Sequence, residues 1–223
     1  MIALFDVTIP ASQGGSPVVD GLSLKMEKGQ WHEIVGPSGV GKSALFEVVT
    51  LRSSPQAGRL VVAGRNIQRL GPTGLAEVRR SLGTCSQRPT LLTRRTVVEN
   101  VVLPMVVRGA TQGAVDEAEK VLGFFGLMGH RDQRVGQLCF QRQVLVSLAR
   151  ATVGRPEVVV IDGVHEGLEP GVRGLMLSWL EKLHSRGTTV VVFGRRPMNR
   201  SSESVLWRLR DGEVERTGEV DRC

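Results

Sequence analysis

Tyrosine is absent from this chain, and phenylalanine and tryptophan bring the aromatic share to only 4%. Lysine and arginine outnumber the acidic residues by 29 to 22, a formal charge of +7. Without interleaved aromatics, that excess does not make the stripe of a nucleic-acid surface. It is spread in pairs, Arg79–Arg80, Arg94–Arg95 and Arg195–Arg196, which suit a solvated face or the neighbourhood of an anionic membrane. Cysteine is scarce as well. Cys85, Cys139 and Cys223 are odd in number, far apart and free of any Cys-x-x-Cys pair, which argues against a structural metal and for a reducing compartment. No window approaches about 18 uncharged apolar residues, so nothing is expected to span a membrane. The opening Met1-Ile2-Ala3-Leu4-Phe5-Asp6 has no basic n-region and reaches Asp6 too early for a signal peptide. A cytoplasmic location is the expectation. Internal repeats and low-complexity segments are missing too.

What is present is more specific. Gly36-Pro37-Ser38-Gly39-Val40-Gly41-Lys42-Ser43 is a phosphate-cradling loop of the Walker A kind. Trp31-His32-Glu33-Ile34-Val35 reads as a strand leading in, and Ala44-Leu45-Phe46-Glu47-Val48-Val49 as a helix leading out. That strand–loop–helix context is what the motif requires. Its glycines let backbone N–H groups and the helix N-terminus wrap a triphosphate. Lys42 is placed to reach the β- and γ-phosphates, and the Ser43 hydroxyl to hold Mg²⁺. By chance the pattern arises in a chain of this length roughly once in a hundred, so ATP binding is the first expectation.

With 223 residues and a 41% hydrophobic share, the chain can form one large α/β domain or one core with a helical insert. Ile2 to Ile9, Gly21 to Met26 and Gly58 to Ala63 read as strands, with Ser12 to Pro17 as a turn. Val78 to Gln87 reads as a helix end, a short strand and a loop. Val97 to Val107 is apolar but carries Pro104, and Gln112 to Leu127 and Leu138 to Val153 have helical spacing. Val158-Val159-Val160-Ile161 is a continuous run of the buried parallel-strand type, ending in Asp162. Gly171 to Arg186 fits a helix started by Pro170, and Thr188 to Phe193 another buried strand. Val205 to Leu209 and Glu213 to Arg216, joined by Asp211-Gly212, read as a closing hairpin.

In this order the elements resemble an ABC-transporter ATPase domain over nearly the whole length. The segment Leu91-Leu92-Thr93-Arg94-Arg95-Thr96-Val97-Val98-Glu99-Asn100-Val101-Val102-Leu103-Pro104 is most similar to the lipoprotein-release, macrolide-export and cell-division group. The resemblance implies an α/β fold: a P-loop NTPase core with a parallel sheet, N-terminal antiparallel strands and an inserted helical subdomain. It implies one domain over 1–223, with the helical part at about 88–152. Gln87 would then sense the metal and the membrane partner, and Asp162 would hold Mg²⁺ through water. Ser43, Gln87 and Asp162 form the implied metal set. The implied partners are a membrane permease and a second ATPase chain, as homodimer or heterodimer, with nucleic acid unfavoured and the chain peripheral on the inner face of the cell membrane.

The departures from the family pattern say more than the matches. Ala44 replaces the usual hydroxyl residue after Ser43. Where the family has a glutamate that activates the attacking water, this chain has Gly163. Losing a general base typically costs about 10²–10⁴ in rate, or roughly 3–5 kcal/mol of barrier. The family signature aligns with Leu138-Cys139-Phe140-Gln141-Arg142, anchored on Ala149-Arg150-Ala151, and the switch histidine aligns with Gly194. The adenine-stacking aromatic should fall near Ala11 or Ser12, while Trp31 and Phe5 are expected in the core. His165 and Glu166 lie just past Gly163 and are candidates for displaced catalytic groups, against a plainer reading as partner-contacting loop residues. Three functions follow: an ATP-binding subunit with weak hydrolysis, an active transport ATPase with displaced groups, or a soluble or nucleic-acid-associated ABC scaffold.

Overall fold

The structure is a computed structural model that describes residues 1–11, 16–198, 204–210 and 212–217. Two sheets pack around the phosphate-loop helix. The first contains β1 (Ile2–Ile9), β2 (Val19–Met26), β4 (Ala57–Val62) and β5 (Arg65–Asn66), in the antiparallel order β2-β1-β4-β5. The second contains β3 (Trp31–Val35), β6 (Leu82–Cys85), β7 (Val158–Asp162), β8 (Thr189–Gly194), β9 (Ser204–Arg210) and β10 (Glu213–Thr217), in the order β10-β9-β3-β8-β7-β6. Five of its strands are parallel and β10 closes the edge antiparallel to β9. Helices α1 (Lys42–Val49), α2 (Pro72–Arg80), α3 (Val97–Val107), α4 (Ala114–Phe124), α5 (Phe140–Thr152) and α6 (Pro170–His184) complete the chain. The turn expected over Ser12 to Pro17, the Asp211 half of the hairpin joint, and Cys223 lie wholly or partly outside the described residues. No helix among those described is long and apolar enough to cross a membrane.

The valine-rich strands explain the layering. Side chains alternate across a sheet, so Val159 and Ile161 of β7, with Val190 and Val192 of β8, join one core beneath α3–α6. Val158 and Val160, with Val191 and Phe193, join the other, filled by Leu45, Phe46, Val48 and Val49 of α1 and by the N-terminal sheet. Strands buried on both faces need runs of apolar residues, as Val158–Ile161 and Val190–Phe193 supply.

Between β6 and β7, which are neighbours in the sheet, the chain makes α3, α4 and α5. Helix α3 runs through Pro104. Its start is fixed by a capping box: Thr96 Oγ1 accepts from the Glu99 N–H at 3.2 Å and Glu99 Oε2 accepts from the Thr96 N–H at 2.7 Å. That signal was legible in Thr96-x-x-Glu99. Proline at 104 removes only the bond to the Asn100 carbonyl, near the helix's end.

Phe5 does not join the core. It is 40% exposed, with the Arg59 guanidinium 4.3 Å from its ring centroid. The strand alternation breaks there because the register shifts between Leu4 and Val7, and Asp6 takes a φ of +54°. The bulge lies against Gly58, where an added Cβ would come within 2.2 Å of the Asp6 carbonyl oxygen. Trp31 is buried, as expected.

His32, on β3, is 1% exposed. Its Nδ1 accepts from Trp207 Nε1–H at 3.3 Å and its Nε2 faces the Glu27 carbonyl at 3.4 Å. A proton on Nδ1 would face another N–H. Burial, chiefly, lowers the pKa of this imidazole from 6.5 to about 4. The unfolded chain therefore binds the proton first, and stability is complete above about pH 6.5 and falls as pH drops toward 4. The expected loss from this group is roughly 3 kcal/mol. Urea unfolding of wild type and His32→Gln at pH 7.5 and pH 4.5 checks it: the wild type should lose more on acidification, and equal losses would refute the assignment.

Candidate functional site

Parallel pairing brings the carboxyl ends of four strands together, where open α/β sheets place their ligands. Val35 pairs with Gly194, Asp162 with Phe193 and Cys85 with Ile161. The phosphate loop, Gln87, Asp162 to Gly167, and Gly194–Arg195 all leave the sheet at this edge. Most of these residues, Lys42, Ser43, Gln87, Asp162, Glu166 and Arg195 among them, line a cleft of about 600 Å³.

The loop is seated on the sheet by its first glycine. The Gly36 N–H donates to the Gly194 carbonyl at 3.2 Å. A Cβ at Gly36 would lie 2.3 Å from the Leu209 carbonyl oxygen, so only glycine fits against β9. Gly39 and Gly41 take φ of +84° and +102°, the left-handed region that glycine enters without strain. Pro37 and Ser38 are exposed, whereas Val40 packs against the N-terminal core. Lys42 Nζ donates to the carbonyls of Gly36 at 2.7 Å and Pro37 at 2.6 Å. Burial lowers the Lys42 pKa, and the carboxylates of Glu166 and Asp162 oppose that shift. No acidic residue occupies the first turn of α1, which leaves its positive end open to an anion.

Ser43 Oγ donates to Asp162 Oδ2 at 3.2 Å. Burial raises the Asp162 pKa, with the Ser43 hydroxyl and Lys42 acting the other way. Gln87 is exposed and faces Gly163: a Cβ there would lie 3.9 Å from Gln87 Cδ and Nε2. A hydroxyl, a carboxylate and an amide oxygen on one rim form a hard oxygen donor set that fits Mg²⁺. The sequence-derived metal set is thus brought to one place.

Gly163 and Gly194 both sit where a side chain would be strained or crowded. Gly163 has φ +57° and its N–H donates to the Phe193 carbonyl at 2.8 Å. Any side chain at 163 would sit on strained left-handed backbone. Gly194 is packed by His165: a Cβ there would fall 2.9 Å from His165 Cε1 and 3.0 Å from Nε2. The His165 ring thus fills the space that a side chain at 194 would enter. It is 4% exposed and neither ring nitrogen has a well-formed hydrogen bond, although the Arg196 carbonyl is close. Burial holds its pKa below the usual range. His165 does not line the cleft.

Glu166 does. It accepts from the Arg195 backbone N–H through Oε1 and from Arg195 Nε through Oε2 at 2.7 Å. Burial is the largest influence on this carboxyl and favours the neutral acid, but the Arg195 hydrogen bonds and charge outweigh it and lower the pKa. Arg195 was legible only as half of a dispersed basic pair.

At the signature alignment, Leu138 is buried and Cys139 caps α5 in extended conformation without a side-chain bond. Phe140 is 48% exposed and lines the cleft of its own chain. Gln141 Oε1 accepts from the Glu169 N–H at 3.2 Å, while Arg142 points to solvent as an exposed residue. Among the residues expected near adenine, Ser12 lies outside the described residues and Ala11 is half-buried. Val18, which the sequence did not single out, lines the cleft beside Gly41.

A family model described as ABC transporter matches residues 19–165. This chain belongs to the ABC transporter family. Its fold is that of the ABC ATP-binding domain: a dimeric, ADP- and phosphate-bound structure of the ATP-binding cassette MJ0796 superposes with TM-score 0.90, covering 100% of both chains at 26% identity. A macrolide export ATP-binding/permease protein, MacB of Hyphomonas neptunium, is 34% identical over 96% of this chain and 34% of its own length. A methionine import ATP-binding protein, MetN of Caulobacter vibrioides, is 31% identical over 86% of this chain and 58% of its own. The ABC domain thus spans about a third to a little over half of these curated relatives.

Proposed function

We propose that this ABC ATP-binding domain binds Mg-ATP in the cleft but hydrolyses it slowly, and works as the nucleotide-dependent half of a membrane transport complex. One observation carries the reading. Lys42, Ser43, Gln87 and Asp162 converge on the cleft, while the positions that follow Asp162 and end β8 are glycines without a proton acceptor. Bound Mg²⁺ supplies charge neutralisation of the phosphates. The loop N–H groups and Lys42 hold those phosphates, and Ser43 and Asp162 orient the metal. Glu166 is the remaining carboxylate in the cleft, but its hydrogen bonds from Arg195 favour the ionised form and weaken it as a base.

The whole chain 1–223 acts as one unit in this proposal. A permease subunit is the docking partner, on the inner face of the cell membrane, and a second ATPase chain completes the dimer. The relatives named as import and export proteins and the dimeric MJ0796 structure support that reading. The dispersed arginine pairs, without interleaved aromatics, favour this reading over a nucleic-acid partner.

Nucleotide binding and phosphate release, measured on one sample with and without the neighbouring membrane protein, test the proposal. Expected are measurable Mg-ATP affinity and turnover about 10²–10⁴ below that of a cassette with its base in place. Robust turnover by the isolated chain would overturn it. A second reading, an active ATPase with a displaced base, is favoured only by the placement of Glu166 in the cleft. It requires that turnover be substantial and that Glu166→Gln abolish it.

A further inference from the structure

The cleft has a polarity of its own. Val18 forms an apolar rim beside Gly41. Lys42, Asp162, Glu166 and Arg195 make up its charged part. A nucleotide lying between them puts its base toward Val18 and its terminal phosphate toward the charged end. These are the charged residues that line the cleft, two of each sign. Asp162 is engaged with Ser43. Glu166 is the carboxylate of the cleft that is ion-paired with an arginine, Arg195.

Arg195 makes that pair with only part of its guanidinium. Nε is committed to Glu166 Oε2 at 2.7 Å, and the backbone N–H to Oε1. The terminal nitrogens Nη1 and Nη2 make no hydrogen bond among the described residues, and the side chain is 61% exposed. An arginine fixed through Nε presents its outer edge as a planar fork, the geometry suited to a phosphate. We infer that Arg195 reads the terminal phosphate of a nucleoside triphosphate, and that Glu166 is a positioning residue that aims its fork into the cleft. The inference rests on the proposed Mg-ATP reading and adds to it a means of telling triphosphate from diphosphate. Gly194 matters to the same device, because it brings the backbone of Arg195 alongside the phosphate loop through the Gly36–Gly194 bond.

Dissociation constants for Mg-ATP and Mg-ADP, measured by calorimetry below the concentration of self-association, test it. Arg195→Ala should weaken Mg-ATP about tenfold, as for one exposed charge-assisted phosphate contact, and change Mg-ADP less than about twofold. Arg195→Lys keeps the charge but loses the fork, and should recover only part of the preference. Glu166→Gln in wild-type and Arg195→Ala backgrounds gives a double-mutant cycle on the ATP/ADP ratio. Non-zero coupling supports the positioning role, and additive effects overturn it. An unchanged ATP/ADP ratio in a folded Arg195→Ala, shown by an unshifted thermal transition, overturns the inference while leaving ATP binding intact. Failure of the wild type to bind either nucleotide overturns the broader reading as well.

Discussion

Lys42→Ala is expected to weaken Mg-ATP binding by about 10²-fold while leaving the fold intact. The ammonium is the strongest mobile donor in the cleft, and its present bonds to the Gly36 and Pro37 carbonyls show that it reaches across the loop. Turned to phosphate, it makes charge-assisted hydrogen bonds worth about 1.5–3 kcal/mol. About 3 kcal/mol corresponds to the stated factor. The carbonyls left behind sit at the loop mouth, Pro37 being exposed, so water replaces the lost donor. Calorimetric titration beside a thermal melt checks both halves. Retained affinity would mean that the nucleotide is held elsewhere or by backbone alone.

Gly194→His is expected to destabilise the protein. A Cβ at 194 meets the His165 ring at 2.9 and 3.0 Å and the Arg196 carbonyl oxygen at 3.1 Å. Overpacking of this kind costs about 1–3 kcal/mol, or roughly 3–10 °C in Tm for a domain of this size. The same substitution in a His165→Ala background should cost much less, since the ring that blocks it is gone. Unfolding free energies for the four proteins give the coupling directly. Equal cost in both backgrounds would refute the packing argument. The two positions thus act as a pair: a glycine at 194 leaves the space that the His165 ring fills.

The parts of the site held by local chemistry were legible in the sequence. Gly36 to Ser43 declare their loop through glycine spacing and the flanking strand and helix, and Asp162 is marked by the apolar run before it. The α3 capping box is equally local, written in Thr96 and Glu99. What escaped the reading depends on contacts between distant segments. Nothing around Gly194 signals that His165 fills its space, and nothing in Arg195–Arg196 signals a bond to Glu166. Phe5 was misassigned because strand alternation presumes unbroken register, and the bulge at Asp6 breaks it.

The alternation of β7 between two cores has a bearing on folding fidelity. Val158, Val159, Val160 and Ile161 differ by at most one methylene, so a one-residue slip would exchange the residues facing each core with little change in shape. Register is normally enforced by an apolar and a polar face, and here both faces are apolar. The strand's own side chains thus encode its burial but hardly its alignment. Contacts at its ends contribute to the alignment, among them the Asp162 bond to Ser43 and the Gly163 N–H bond to the Phe193 carbonyl. A one-residue slip would keep most of the strand apolar but break the Asp162–Ser43 bond, so the cleft edge also reports correct strand assembly.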